Sequence, residues 1–282
     1  MSTIRLTALD ATTIDLKTPL WKYETKIKMP LSYSQRADGT TGIFDAGTAY
    51  DLRTCKCTFL NDVTDHGALV DFLRNSLQGR GRDVGLSFPS GNGFFPFGPD
   101  LGDAGTFTIR VLDFEPSEQL MKPFKWWKDV LVLQLISGPT PSYSLPSVTE
   151  YGNLQVGNVT NFRYPQTTFK TKYNYAVNNT TLFSGVDQID LGENADSWAV
   201  TFGLTSTESA CAVLTNYLMT TPRNPSGKTY NTFPIITQSN TFIFGEENSS
   251  AGSYDVLLID GEFELIHVAH DIFETSLKVK QV

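Results

Sequence analysis

One internal repeat limits this chain to architectures that a single small unit can build twice. The segment Phe97-Gly98-Pro99-Asp100-Leu101-Gly102-Asp103-Ala104-Gly105-Thr106-Phe107 aligns without a gap on Phe244-Gly245-Glu246-Glu247-Asn248-Ser249-Ser250-Ala251-Gly252-Ser253-Tyr254, an offset of 147 (244 − 97). Phe-Gly, Ala-Gly, the aromatic after the turn and the apolar positions beyond it coincide. Upstream, Asp51 to Phe59 lies against Asn194 to Phe202 at an offset of 143 (202 − 59), and both alternate toward a terminal Thr-Phe with the period of a strand. A helical stripe follows in each half. Leu69, Phe72, Leu73 and Leu77 share a face behind a cap at Asp65; Cys211, Leu214, Tyr217 and Leu218 share one behind Thr205, with Glu208 completing a capping box. Trp126-Trp127 and Ile272-Phe273 then open the closing strands, at an offset near 146 (273 − 127).

The repeated unit therefore reads as strands, one short helix, a turn-rich loop, then further strands ending in a long one. The expected fold is mainly β with short helices, as a tandem of two similar β-barrel or sandwich domains. Each carries one helix that covers an open end or face and protects sheet edges. Residues 1–28 precede the repeat as an N-terminal arm or added strand, residues 29–137 form the first unit, and residues 151–282 form the second. Between them, 138–150 is a Pro/Ser-rich linker, Gly138-Pro139-Thr140-Pro141 and onward, which breaks helix and strand alike. Of the 282 residues 40% are hydrophobic, enough for two modest cores. Duplication also gives each chain two similar docking surfaces, from which three chains present six positions and six present twelve.

Charge and cysteine content narrow the function. With 22 Lys+Arg against 30 Asp+Glu the net charge is −8, which argues against a basic nucleic-acid face over the whole surface. Cys55, Cys57 and Cys211 cannot build a disulfide framework and read as reduced, buried, small apolar residues. The first 17 residues lack the basic-then-apolar layout of a secretion signal, and no apolar run approaches a membrane span, so the expectation is an intracellularly made, soluble product.

Catalytic motifs are missing. His267 and His270 have metal-ligand spacing, but in a strand-turn-strand region that spacing sends the two rings to opposite faces. Cys55 and Cys57 share a face without further ligands to complete a zinc site, and His66 reads as an ordinary exposed residue at a helix start. No nucleophile elbow, phosphate loop or dinucleotide fingerprint is present. Asp100 with Asp103, and Glu246 with Glu247, sit in loops, and spacing along a loop does not establish the cleft that a glycosidase needs. No catalytic residue, cofactor or metal is expected. Two aromatic runs, Phe94-Phe95-Pro96-Phe97 and Phe124-Lys125-Trp126-Trp127, are too dense to face inward throughout, so some members favour a partner surface.

Tyr33-Ser34-Gln35-Arg36-Ala37-Asp38-Gly39, followed by a Thr-rich strand ending Cys57-Thr58-Phe59-Leu60 and a helix near Asp65 to Leu77, resembles the distal tail and minor tail proteins of long-tailed bacteriophages. The second half is similar in pattern but carries Asn174-Tyr175-Ala176 where the signature would stand. The resemblance covers about 30 residues by motif and the rest by order of elements. It implies a structural virion protein, assembled in the host cytoplasm, that forms a three- or six-fold homo-oligomeric ring at the tail tip or baseplate. That ring would join the tail tube to the hub and tape measure. DNA would cross its channel without specific binding, along an acidic lumen that repels phosphate. Candidate inter-subunit contacts are Arg36, Arg80 and Arg82, with Phe94 and Phe95; the Gly79–Gly85 and Gly91–Gly98 loops are the segments that would carry them. Alternatives are a tail-tube or tail-terminator subunit, and a carbohydrate-binding β module that recognises a receptor through the aromatic runs.

Overall fold

Strand Tyr23–Lys28 alternates buried and exposed residues along its whole length, and this period-two rule governs most of the chain. The computed structural model describes residues 3–17, 22–35, 41–77, 83–89, 91–121, 124–139, 154–157, 160–162, 170–174, 177–182, 185–190, 197–224, 226–237 and 252–282. The first half holds β1 (Thr3–Thr7), β2 (Thr13–Lys17), β3 (Tyr23–Lys28), β4 (Leu31–Gln35), β5 (Thr41–Asp45), β6 (Leu52–Asn61), α1 (Val63–Asp71), β7 (Asp83–Phe88), β8 (Gly105–Met121) and β9 (Phe124–Ser137). The second holds β10 (Leu154–Val156), β11 (Thr160–Phe162), β12 (Lys170–Asn174), β13 (Val177–Leu182), β14 (Gly185–Asp190), β15 (Ser197–Thr207), α2 (Glu208–Thr220), β16 (Arg223–Asn224), β17 (Thr229–Tyr230), β18 (Phe233–Thr237), β19 (Gly252–Leu258), β20 (Glu262–Ala269) and β21 (Ile272–Gln281). The protein is thus mainly β with short helices.

The strands do not close into barrels. An antiparallel run β12–β15–β21–β20–β3–β6–β9–β8 passes from one half into the other without interruption, through a ladder between β20 and β3. Further strands extend it: β19, β18, β10 and β11 beyond β21, and β7, β1 and β2 beyond β8. The expectation of paired barrels is therefore corrected to open sheets joined edge to edge. The physical reason is that β3, which lies ahead of the repeated motif in sequence, pairs on both sides, with β6 and with β20. Residues 3–17 are likewise built in, as a hairpin whose Ile4, Leu6 and Leu16 are buried and whose first strand pairs with β7. The linker region around Pro141 lies outside the described residues.

Both helices begin at a cap two or three residues away from the one the sequence favours. Asp62, not Asp65, caps α1, accepting from the N–H groups of Thr64 and Asp65. Thr207, not Thr205, caps α2, accepting from the Ala210 N–H, while Asp271 accepts from the Glu208 N–H. In each half the cap stands where the strand ends, so the strand's length and not the first capable side chain selects it. Residues Phe72–Ser76 continue α1 as a wider, π-type turn.

Two cores result. One belongs to the first half alone and gathers Leu6, Cys57, Phe59, Leu69, Phe107 and Leu131 around α1. The other takes its mass from the second half, including Phe202, Leu214 and Phe273, but is completed by Ile27, Met29, Ile43 and Phe95 from the first. A buried ion-pair cluster seals this joint. Arg223 donates to the carboxylates of Asp45 and Asp51 at 2.7–2.9 Å, with its own side chain 1% exposed. Within the first half, Arg53 of β6 forms a bidentate pair with Asp100 at 2.8 Å and donates to the Phe97 carbonyl at 2.7 Å, which holds the loop that packs on the second half. Gly98 makes this possible: its φ is 108°, and a Cβ there would sit 2.6 Å from an Asp100 oxygen.

Two expectations follow from this packing. All three cysteines are buried and free, and burial pushes the Cys211 thiol up to about 12 and that of Cys55 well above its ordinary value. A thiol reagent should leave the native chain unlabelled at neutral pH and label all three on unfolding; prompt labelling of the native chain would contradict the packing. Burial alone would raise the Asp45 carboxyl, but hydrogen bonds from Arg223 and from the Gly47 N–H outweigh it and hold it below its ordinary 3.8. A depressed carboxyl contributes stability that is complete above the unfolded-state value and is lost as pH falls through the folded-state value. Arg223→Ala should therefore cost about 3–5 kcal/mol at neutral pH by stranding buried carboxylates. In acid titrations of thermal stability it should flatten the decline below about pH 4; an unchanged acid limb would contradict this role.

Candidate assembly surface

The strand registers put the two halves on one frame. Thr54 of β6 lies between Lys26 of β3 and Gln134 of β9; Ala199 of β15 lies between Lys172 of β12 and Lys280 of β21. Val111 pairs with Leu133 as Leu258 pairs with Val279. The halves therefore superpose as β3 on β12, β6 on β15, α1 on α2 and β9 on β21. The upstream strand match moves from 143 to 145 (199 − 54), the same offset that relates the caps Asp62 and Thr207. Strand β8 is equivalent to β19 followed by β20. Its bulge between Val111 and Asp113 marks where the second half breaks the strand at Ile259 to Gly261.

This frame exposes an asymmetry. Strand β3 is paired on both edges; among the described residues its counterpart β12 is paired only with β15. Strand β20 is held between β21 and β3; among the described residues the only strand that pairs with its counterpart, the Asp113 to Met121 stretch of β8, is β9, the β7 ladder reaching as far as Arg110. Helix α2 buries Cys211, Leu214, Tyr217 and Leu218 under first-half residues, among them the turn Pro99–Leu101, whereas α1 buries Leu69 alone. Beside the open edge of β8 lies an apolar groove of about 380 Å³, lined by Val70, Leu73, Leu77, Val111, Phe114 and Pro116. In the second half, Phe263 and Leu265, the counterparts of Phe114 and Pro116, are 1% exposed beneath β3.

The sequence-derived contact residues fall elsewhere. Phe94 and Phe95 are 1% and 4% exposed. Phe94 packs edge-on against Tyr23, and Phe95 against Phe273. As partner contacts they are corrected to core residues, because the loop carrying them folds back between the two halves. Arg36, Arg80 and Arg82 lie outside the described residues. Trp127 stacks on His66 at 4.0 Å and is part-buried, as is Trp126. Asp100 is consumed by Arg53, and Glu246 and Glu247 lie outside the described residues. His267 is buried against Tyr23 and Phe273, while His270 sits exposed in the adjoining turn.

One cluster escaped the sequence reading. His66 Nδ1 lies 2.9 and 3.1 Å from the oxygens of Asp129, which is wholly buried and also accepts from the Asn61 amide at 2.8 Å. In the second half Cys211 contacts Thr275 at 3.8 Å in the same place. Both contacts tie a helix to the long closing strand, so the dyad reads as a structural clasp. Among the described residues no group of three metal-ligating side chains converges, and no helix is long and apolar enough to cross a membrane. No protein-family model matches the chain, and no curated protein matches it in sequence.

Proposed function

We propose that the protein is a non-catalytic structural subunit of a phage tail tip, forming a homo-oligomeric ring that joins the tail tube to the hub. The carrying observation is that one four-strand order occurs twice, β12–β15–β21–β20 and β3–β6–β9–β8, joined edge to edge, and that among the described residues β12 and the Asp113–Met121 stretch of β8 each pair on one side only. A unit that adds to itself by edge pairing inside one chain is suited to adding to further chains, and heterologous contacts of this kind close into rings. The Ser34-Gln35-Arg36 resemblance supplies the setting, a tail whose channel DNA crosses.

The solvent face of this eight-strand run is not acidic. It carries exposed Lys26, Lys28, Lys56, Lys128 and Lys278 beside Glu24, Glu115, Glu262 and Glu264. If that face lined the channel, passage of DNA would depend on both signs alternating at close range and not on uniform repulsion. The acid-lined lumen is therefore not part of this reading.

Electron microscopy of the purified chain over a concentration series tests it. Annular particles with three- or six-fold symmetry are expected at high concentration. Monodisperse single chains throughout would contradict the reading.

A further inference from the structure

We propose that the distal edge of β8 in one chain pairs antiparallel with β12 of a second copy, in the register that sets Glu115 opposite Lys172. The inference rests on the ring reading above and gives that ring its contact. Inside the chain the ladder already exists once. Strand β20 pairs with β3 through Glu262↔Lys28, Phe263↔Ile27, Glu264↔Lys26 and Leu265↔Thr25. On the shared frame Glu264 corresponds to Glu115, because Glu264 pairs with Ser276 of β21 as Glu115 pairs with Val130 of β9. Lys26 corresponds to Lys172 through the ladders to Thr54 and Ala199. Transferred to the unpaired edges, the same ladder sets Glu115 against Lys172, with Phe114 and Tyr173 side by side.

Charge and apolar surface agree with the register. In the chain, Lys26 Nζ bonds Glu262 at 2.8 Å and Glu264 at 3.2 Å. Across copies Lys172 would meet Glu115 and the backbone position of Asp113; Lys172, Lys170 and Glu115 are all exposed in the single chain. The groove between α1 and Phe114 is the counterpart of the site that Ile27 and Met29 fill beneath α2. Its occupant is therefore a second copy's β12 edge. The chain's own β12 does not pair with it: β12 and β8 stand seven strand steps apart in the eight-strand run, about 34 Å along the sheet at the ordinary spacing. Pro116, opposite Asp129 in the β8–β9 ladder, has no N–H; the ordinary place for a strand proline is with its nitrogen on the open side, which leaves one donor fewer there. The apolar groove and the ion pair must outweigh that loss.

The test mixes two single variants, Glu115→Cys and Lys172→Cys, under mild oxidation. Directly opposed strand residues have Cα atoms about 4.5–5.5 Å apart, within disulfide reach, and the native thiols are buried. A covalent dimer in the mixture, absent from either variant alone, supports the pairing. Charge reversal gives an independent readout. Glu115→Lys or Lys172→Glu should each weaken association roughly fivefold or more per contact, and combining them in one chain should restore it. If wild-type annuli form while the mixture yields no disulfide and the double reversal no rescue, this register is overturned and the ring reading stands. If no annuli form at all, both fall.

Discussion

The ladder between β20 and β3 decides what this molecule is. On its polar side Lys26 is held between Glu262 and Glu264; on its apolar side Ile27 and Phe263 enter a shared core. Without it the two halves would each expose a row of unpaired backbone groups and an uncovered helix face, the hazard that open sheets present. With it, a first-half strand and a first-half loop finish the packing of the second half. Tyr23 shows how closely the parts interlock: its ring stacks on His267 of β20 at 4.6 Å, and its hydroxyl accepts from the Phe95 N–H at 2.9 Å. The buried pairing of Arg223 with Asp45 and Asp51 then fixes the relative placement of the halves by geometry that a nonspecific apolar contact would not impose.

What is true of the first half as a donor is not true of it as an acceptor. It lends β3, Phe95 and the Pro99–Leu101 turn to the second half and, among the described residues, receives no equivalent cover in return. Hence α1 stays half-buried and the groove beside Phe114 stays open. This imbalance is what a repeating head-to-tail assembly requires of its unit. An isologous dimer would instead demand that one patch match itself.

Much of this was legible in the sequence, for identifiable reasons. The alternation before each helix and the helical stripes are local signals, and they placed both helices; Phe244, Gly245 and Ala251, which carry the second Phe-Gly and Ala-Gly match, lie outside the described residues. The upstream strand match was two residues out because a slip of two leaves every side chain on its original face, so alternation cannot detect it. The helix caps moved for a related reason: Asp62 and Asp65 are both able caps, and the end of the strand chose between them. Phe94 and Phe95 read as surface because their density was counted without the loop's return into the joint. The pairing of β3 with β20 spans more than two hundred residues, and no local pattern reports such a contact. Once the registers are known, Glu115 and Lys172 can be found from the repeat, since Glu264 and Lys26 already show the pair in place.

Hydrogen exchange, followed residue by residue across a dilution series, addresses the central claim most directly. The account predicts that amides of β3 and β20 stay protected at every concentration, because their ladder is internal. Amides on the open edge of β8, and those of β12 that face away from β15, should be protected only in the assembled state and exchange freely once it is diluted apart. Free exchange at both outer edges in fully assembled particles would show that the chains meet some other way, and would contradict the account.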